Sequence, residues 1–184
     1  ITDLNQAVAE IEDQKLVAGL IYIDNYDEVI ESVEEVRQSL LIALIDRKIN
    51  QYVARMDGIV KKLEKDRYFI IVKNFYFHKM EEDHFSILDD VKEISVGKKI
   101  PATLRIGLGF SEDTYGQSYN YARVAIDLAL ARGGDQAVIK DQDGIKYYGG
   151  NREQMSKNPR VKARGKAEAL REVMIGKDQG LSMG

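Results

Sequence analysis

Leu16-Val17-Ala18-Gly19-Leu20-Ile21-Tyr22-Ile23 runs without interruption into Asp24-Asn25-Tyr26-Asp27. Six of the eight residues from Leu16 to Ile23 are apolar, all but Gly19 and Tyr22. So short a run, uniformly apolar and closed by acids, is a strand buried on both faces. It is far below the roughly 20 apolar residues of a membrane span. A strand that needs cover on both sides requires a layered α/β arrangement around it. Acids at the end of such a strand also mark a place where two-metal phosphoryl transfer holds its cations.

The remaining pattern supplies the layers. Leu4, Val8 and Ile11 give Thr2 to Lys15 a helical period, a lead-in ahead of the strand. From Asp27 a stripe of Val29, Val33, Val36, Leu40, Leu44, Ile45, Ile49 and Tyr52 or Val53 predicts one long helix or two in tandem, ending before Asp57-Gly58. Gly58 to Leu63 and Arg67 to Lys73 read as a hairpin turning at Glu64-Lys65-Asp66. Phe75 to Ile94 reads as a helix with Asn74 as N-cap, closed by Gly97 and Pro101. Thr103 to Phe110 is a strand. Ser118 to Ala131 is a helix with Tyr121, Val124, Ala125 and Leu128 inward, stopped by Gly133-Gly134. Gln136 to Lys140 and Ile145 to Tyr148 form a hairpin around Asp143-Gly144. This order predicts an α/β sandwich: a mixed five-stranded sheet with flanking helices, a ferredoxin-like core and a C-terminal hairpin. The expected division is 1–15 as a helical linker, 16–150 as the domain, and 151–184 as a linker and basic helix.

Totals narrow the chemistry. With no cysteine, disulfides and thiolate chemistry are out. Basic and acidic residues number 27 and 30, a balance that gives no field for nucleic acid. Several short motifs have plainer uses. Gly133-Gly134-Asp135-Gln136 sits where a helix cap belongs, not a phosphate loop. Gly107-Leu108-Gly109 lacks the third glycine of a dinucleotide site, and Val96-Gly97-Lys98-Lys99 lacks the rest of a P-loop. His78 and His84, six residues apart around Glu81 and Glu82, read as a solvated helix face. Asp141 and Asp143 suit a turn better than a calcium loop. Arg160, Lys162, Arg164, Lys166 and Arg171 are broken by Glu168 and Glu172, which suits an interdomain helix.

The segments Ile21-Tyr22-Ile23-Asp24-Asn25-Tyr26 and Arg67-Tyr68-Phe69-Ile70-Ile71-Val72 resemble the GGDEF domain of diguanylate cyclases. The run Ala122 to Val138, the tail Tyr147-Tyr148-Gly149-Gly150-Asn151, and Arg160 to Arg164 resemble the degenerate GGDEF domain of the GdpP/YybT family of cyclic-di-AMP phosphodiesterases. The resemblance implies a nucleotidyl-cyclase-like fold from about Leu16 to Met174. It also implies a bacterial parent anchored in the membrane, with a PAS sensor upstream, a DHH-type phosphodiesterase downstream, and this domain in the cytoplasm. The start at Ile1 leads to the same expectation, a piece of a longer protein.

Aligned on that pattern, the position of a cyclase's metal aspartate is Tyr22, whose phenol has a pKa of about 10 and is a poor hard-cation ligand. Ile30 stands for the guanine-reading asparagine, and the acid completing guanine recognition falls at or near Ser39. The signature loop falls on Glu64-Lys65-Asp66-Arg67-Tyr68, without its glycines and with Arg67 replacing one acid. Diguanylate cyclase activity is therefore not expected. The leading expectation is a regulatory domain that couples upstream sensing to downstream hydrolysis. The alternative is a weak Mg-dependent ATP-binding or ATPase domain. In that case Asp66 and Asp24 face the Mg, and Asp24, Asn25, Lys65 and Arg67 face the nucleotide. A homodimer is compatible with both.

Overall fold

The computed structural model describes residues 2–97 and 100–150. Lys98 and Lys99, and the linker and basic helix expected after residue 150, lie outside the described residues.

Leu16–Ile23 is a strand, β1, and it lies in the interior of a sheet. It pairs antiparallel on one side with β3 (Arg67–Lys73) and on the other with β4 (Leu104–Gly109). β2 (Ile59–Glu64) forms the edge beyond β3, with a bulge between Lys62 and Glu64. β5 (Gln136–Lys140) runs parallel to β4, and β6 (Ile145–Gly149) closes the other edge. The sheet thus has six strands in the order β2-β3-β1-β4-β5-β6, not five. The extra strand arises because the C-terminal hairpin pairs into the sheet through β5. Its turn is tied by Asp141, whose Oδ1 accepts from the amides of Asp143 and Gly144.

Strand alternation divides the two faces. Val17, Ile21 and Ile23 join Tyr68, Ile70, Val72, Ile106 and Leu108 in the larger core. That core is covered by α2 (Tyr26–Glu31), α3 (Glu35–Arg55), α4 (Asn74–Glu82) and α5 (Ile87–Lys92). Ala18 and Leu20 face the other way, onto α6 (Tyr115–Ala131). The Thr114 hydroxyl caps α6 by accepting from the Gln117 amide at 3.1 Å.

Three expectations change here. Of the one long helix or two in tandem expected from Asp27, the structure has two, broken at Ser32–Glu34, and the phase of the apolar stripe changes across the break. Leu41, Ile45, Ile49 and Tyr52 are buried, while Val36 and Leu40 point outward. The helix expected over Phe75 to Ile94 is two helices, because His84 and Phe85 both adopt positive φ (54° and 55°). Asn74 is the first residue of α4, not its cap, and its amide donates to the Lys15 carbonyl.

The inward face of α6 is also one step away from the one expected. Ser118, Ala122, Ala125, Ile126 and Ala129 are buried, and Val124 is exposed. β4 sets that face. A Cβ on Gly109 would lie 2.1 Å from the Ser118 carbonyl oxygen, and one on Gly107 would lie 2.5 Å from the Ile126 nitrogen. Backbone meets backbone here, so only small helix residues fit opposite.

α1 (Thr2–Gln14) precedes β1, and its Leu4, Val8 and Ile11 are exposed.

Candidate functional site

The antiparallel register places Arg67 of β3, Tyr22 of β1 and Arg105 of β4 in one row across the sheet. All three share the α6 face at the end of β1 beyond Leu20. The Arg67 guanidinium carbon is 4.9 Å from the centre of the Tyr22 ring, and that of Arg105 is 5.2 Å away. Each contact is a cation–π attraction of about 0.5–2 kcal/mol, larger where water is excluded. Among the described residues the Tyr22 hydroxyl has no hydrogen-bond partner.

Asp24 continues the same face and is turned toward β4. Its Oδ1 lies 3.3 Å from Arg105 Nε, and these side chains are only 14% and 16% exposed. The other carboxylate oxygen accepts from the Asp135 amide at 3.0 Å. Burial raises the Asp24 pKa, the Asp135 amide bond and the Arg105 charge oppose that, and the Asp135 charge adds to it. Asp135 is itself held by Lys92 at 2.9 Å. The turn that delivers its amide requires glycine at 134, where φ is +72° and a Cβ would sit 2.2 Å from Asp24 Oδ2. Among the described residues, three buried side-chain atoms lack a hydrogen bond: Asp24 Oδ1, Arg105 Nε and Asp135 Oδ1. The 3.3 Å approach of the first two is thus an ion contact without hydrogen-bond alignment.

The other residues singled out from the sequence have separate surroundings. Asn25 pins the segment before β4, accepting from the Thr103 amide at 3.1 Å and donating to the Pro101 carbonyl at 2.9 Å. Lys65 pairs with Asp27 at 2.7 Å and lies against the Tyr26 ring. The Asp66 carbonyl accepts from the Ile23 amide, and its carboxylate lies 3.9 Å from Arg67 Nε. Lys62 turns toward α3 and pairs with Asp46, which also accepts from the Tyr68 hydroxyl. Lys62 and Lys65 therefore do not converge with Arg67.

Arg67 thus lies in the row with Tyr22, and Asp24 reaches that row through Arg105, while Asn25 and Lys65 are engaged elsewhere. Asp66 contacts Arg67 of β3, whereas Asp24 contacts Arg105 of β4. Among the described residues no three His, Asp or Glu side chains are grouped to hold a metal ion. The residues present do not fit a two-cation centre.

Sequence reasoning missed Arg105 and Asp135. Arg105 is the one charged residue of β4, on a face where its neighbours Gly107 and Gly109 meet a helix, and that contrast was the available signal. Asp135 was read only as part of a cap. The Gly133-Gly134 pair does stop α6, but Gly134 also lies against the Asp24 carboxylate.

The architecture is shared with solved GGDEF structures. A diguanylate cyclase/phosphodiesterase from Caldicellulosiruptor saccharolyticus superposes with a TM-score of 0.58 at 19% identity, covering 79% of this chain and 87% of that one. The FimX GGDEF domain from Pseudomonas aeruginosa gives 0.56 at 18%, covering 76% and 90%. These likenesses establish the fold. Sequence relatives go further. The cyclic-di-AMP phosphodiesterase PdeA of Listeria monocytogenes is 36% identical over 99% of this chain and 27% of its own length. GdpP of Bacillus subtilis is 30% identical over 100% and 28%. The chain thus spans about a quarter of the length of these relatives. Residues 21–147 match the family model described as cyclic-di-AMP phosphodiesterase GdpP-like, GGDEF domain, and to that family this chain belongs.

Proposed function

We propose that this chain is a non-cyclase regulatory domain of a longer, membrane-anchored bacterial phosphodiesterase. It couples an upstream PAS-type sensing domain to downstream hydrolysis of cyclic-di-AMP by a DHH-type domain. The observation that carries this reading is the row Arg67–Tyr22–Arg105. Where the resemblance puts a metal carboxylate, there is a phenol between two guanidinium groups. A divalent cation about 5 Å from each would meet repulsion on the order of several kcal/mol even at an effective dielectric of 20. Cyclase chemistry has no footing there, and the family's fold is kept for another use. The full-length protein lacking residues 16–150 tests this. Its cyclic-di-AMP hydrolysis should lose its dependence on the upstream signal, and an unchanged rate and response would sink the reading.

A second reading, a weak Mg-dependent ATPase, draws on Asp66. This carboxylate sits at the hairpin tip with only a 3.9 Å contact to Arg67. A titration with Mg-ATP and Mg-GTP separates the two readings, since absence of binding at about 1 mM nucleotide removes the second. If ATP is hydrolysed, Asp66→Ala should abolish the reaction.

A further inference from the structure

Two apolar surfaces of the chain stand open, and their charges are complementary. The first is α1. Leu4, Val8 and Ile11 follow one another at spacings of four and three residues, so they share a face, and all three are exposed, Leu4 to 68%. The helix carries the acids Asp3, Glu10, Glu12 and Asp13 and no base. Glu12 and Asp13 fall in its last turn, where acids oppose the helix dipole and a cationic neighbour would relieve them. Within its own chain α1 lies beside α4 and leaves the stripe uncovered, and only Lys15 separates it from β1.

The second surface is the α6 side of β2 and β3. α6 packs over β4, β5 and β1, and it meets β3 where the Tyr119 ring stands edge-on to Phe69 at 5.9 Å. Ile71 pairs with Ala18, and Ile59 with Ile71, so both turn to the same side as Phe69. Ile59 is nonetheless 70% exposed. Lys61 lies opposite Phe69 in register, on this side too, and has no ion-pair partner among the described residues. Arg123, one helical turn after Tyr119, is likewise unpaired there. Arg67 and Lys73 bracket the patch along β3, each already near an acid: Glu64 and Asp66 for Arg67, Asp57 for Lys73. The free charges of the patch are therefore cationic. The sizes agree as well, since 13 helical residues and six strand residues both extend about 20 Å.

We infer that α1 of one copy docks across the open β2–β3 face of a second copy, and that the exchange is reciprocal. The occupant is a second copy because each chain carries both halves of the match, an acidic amphipathic helix and an apolar patch with unpaired cations. Two such contacts related by a two-fold axis close the pair, and each chain then covers what the other leaves open. The inference concerns assembly and stands apart from the regulatory reading.

Sedimentation of the 184-residue chain should show a reversible monomer–dimer equilibrium with Kd of about 10–500 μM. About 0.5 M NaCl should weaken it several-fold. Val8→Glu and Ile59→Glu, both at exposed positions, should each weaken the dimer about tenfold or more. The chain has no cysteine, so single cysteines report which surfaces meet. A Val8→Cys chain mixed with a tagged Ile59→Cys chain should, on mild oxidation, give the cross-link between positions 8 and 59 in clear excess over both self-linked products. Both cysteines replace exposed side chains, so folding is not at stake. A monomer at about 1 mM, either glutamate variant dimerising like the wild type, or salt-insensitive association would overturn the inference. So would a predominant link between two positions 8, which means paired α1 helices, or cross-links in statistical proportions. Growth beyond two copies would overturn the reciprocal exchange.

Discussion

The two ends of one sheet face are built on opposite principles. Toward one end, Ala18 pairs with Gly109 and Leu20 with Gly107, and α6 presses its own backbone onto the glycines. Two residues further along the same strands, Tyr22 pairs with Arg105, and beyond them lie the buried, unbonded atoms of Asp24, Arg105 and Asp135. The first end is apolar and close-packed. The second concentrates charge with incomplete pairing. Close packing fixes a scaffold at low tolerance, whereas poorly satisfied polar groups persist in a fold where they serve something other than stability.

The largest effect should come from the packed end. Gly109→Val must force α6 away from β4, and it should cost about 3 kcal/mol or more, or prevent folding, as followed by urea denaturation. A variant as stable as the wild type would show that α6 is not seated as described. The polar end should respond less steeply. Gly134→Ala strains a positive φ and collides with Asp24, and a loss of about 1–3 kcal/mol is expected in the same assay. If the two losses were equal, the contrast between the ends would collapse.

The finest test is the pH dependence of Asp24→Asn. Asp24 has its pKa raised in the fold, so the native state binds its proton more readily than the unfolded state does. The corresponding stabilisation is fully present below the unfolded pKa and is lost as pH rises through the folded one. Wild type should therefore gain on Asp24→Asn upon acidification from neutrality toward the ordinary carboxylate pKa. Denaturation midpoints of both proteins across that range check the sign, and a parallel pair of curves would mean Asp24 is not perturbed.

Much of the scaffold was legible because its signals are local. β1 is an apolar run between polar segments, and the β2–β3 and β5–β6 hairpins announce themselves by turn residues. Breaks without glycine or proline were not legible. The α4–α5 interruption exists because Phe85 is wholly buried while the backbone turns through positive φ at His84 and Phe85, a tertiary demand that periodicity does not carry. At the candidate site, Asp24 and Arg67 stand out in the sequence by their place at strand and hairpin ends. Arg105 and Asp135 were not, because their meaning comes from partners far along the chain. The Asp24–Asp135 bond spans 111 residues.

The bulge in β2 has a consequence for how copies of this domain tolerate one another. An unpaired strand edge invites another chain to pair with it. β2 carries Lys61 and Lys62 just before its bulge, and β6 ends the opposite edge after five residues with Lys146 within it. Charge, shortness and a kinked register all discourage strand addition, so two copies of this domain brought to high local concentration would not thereby pair edge to edge.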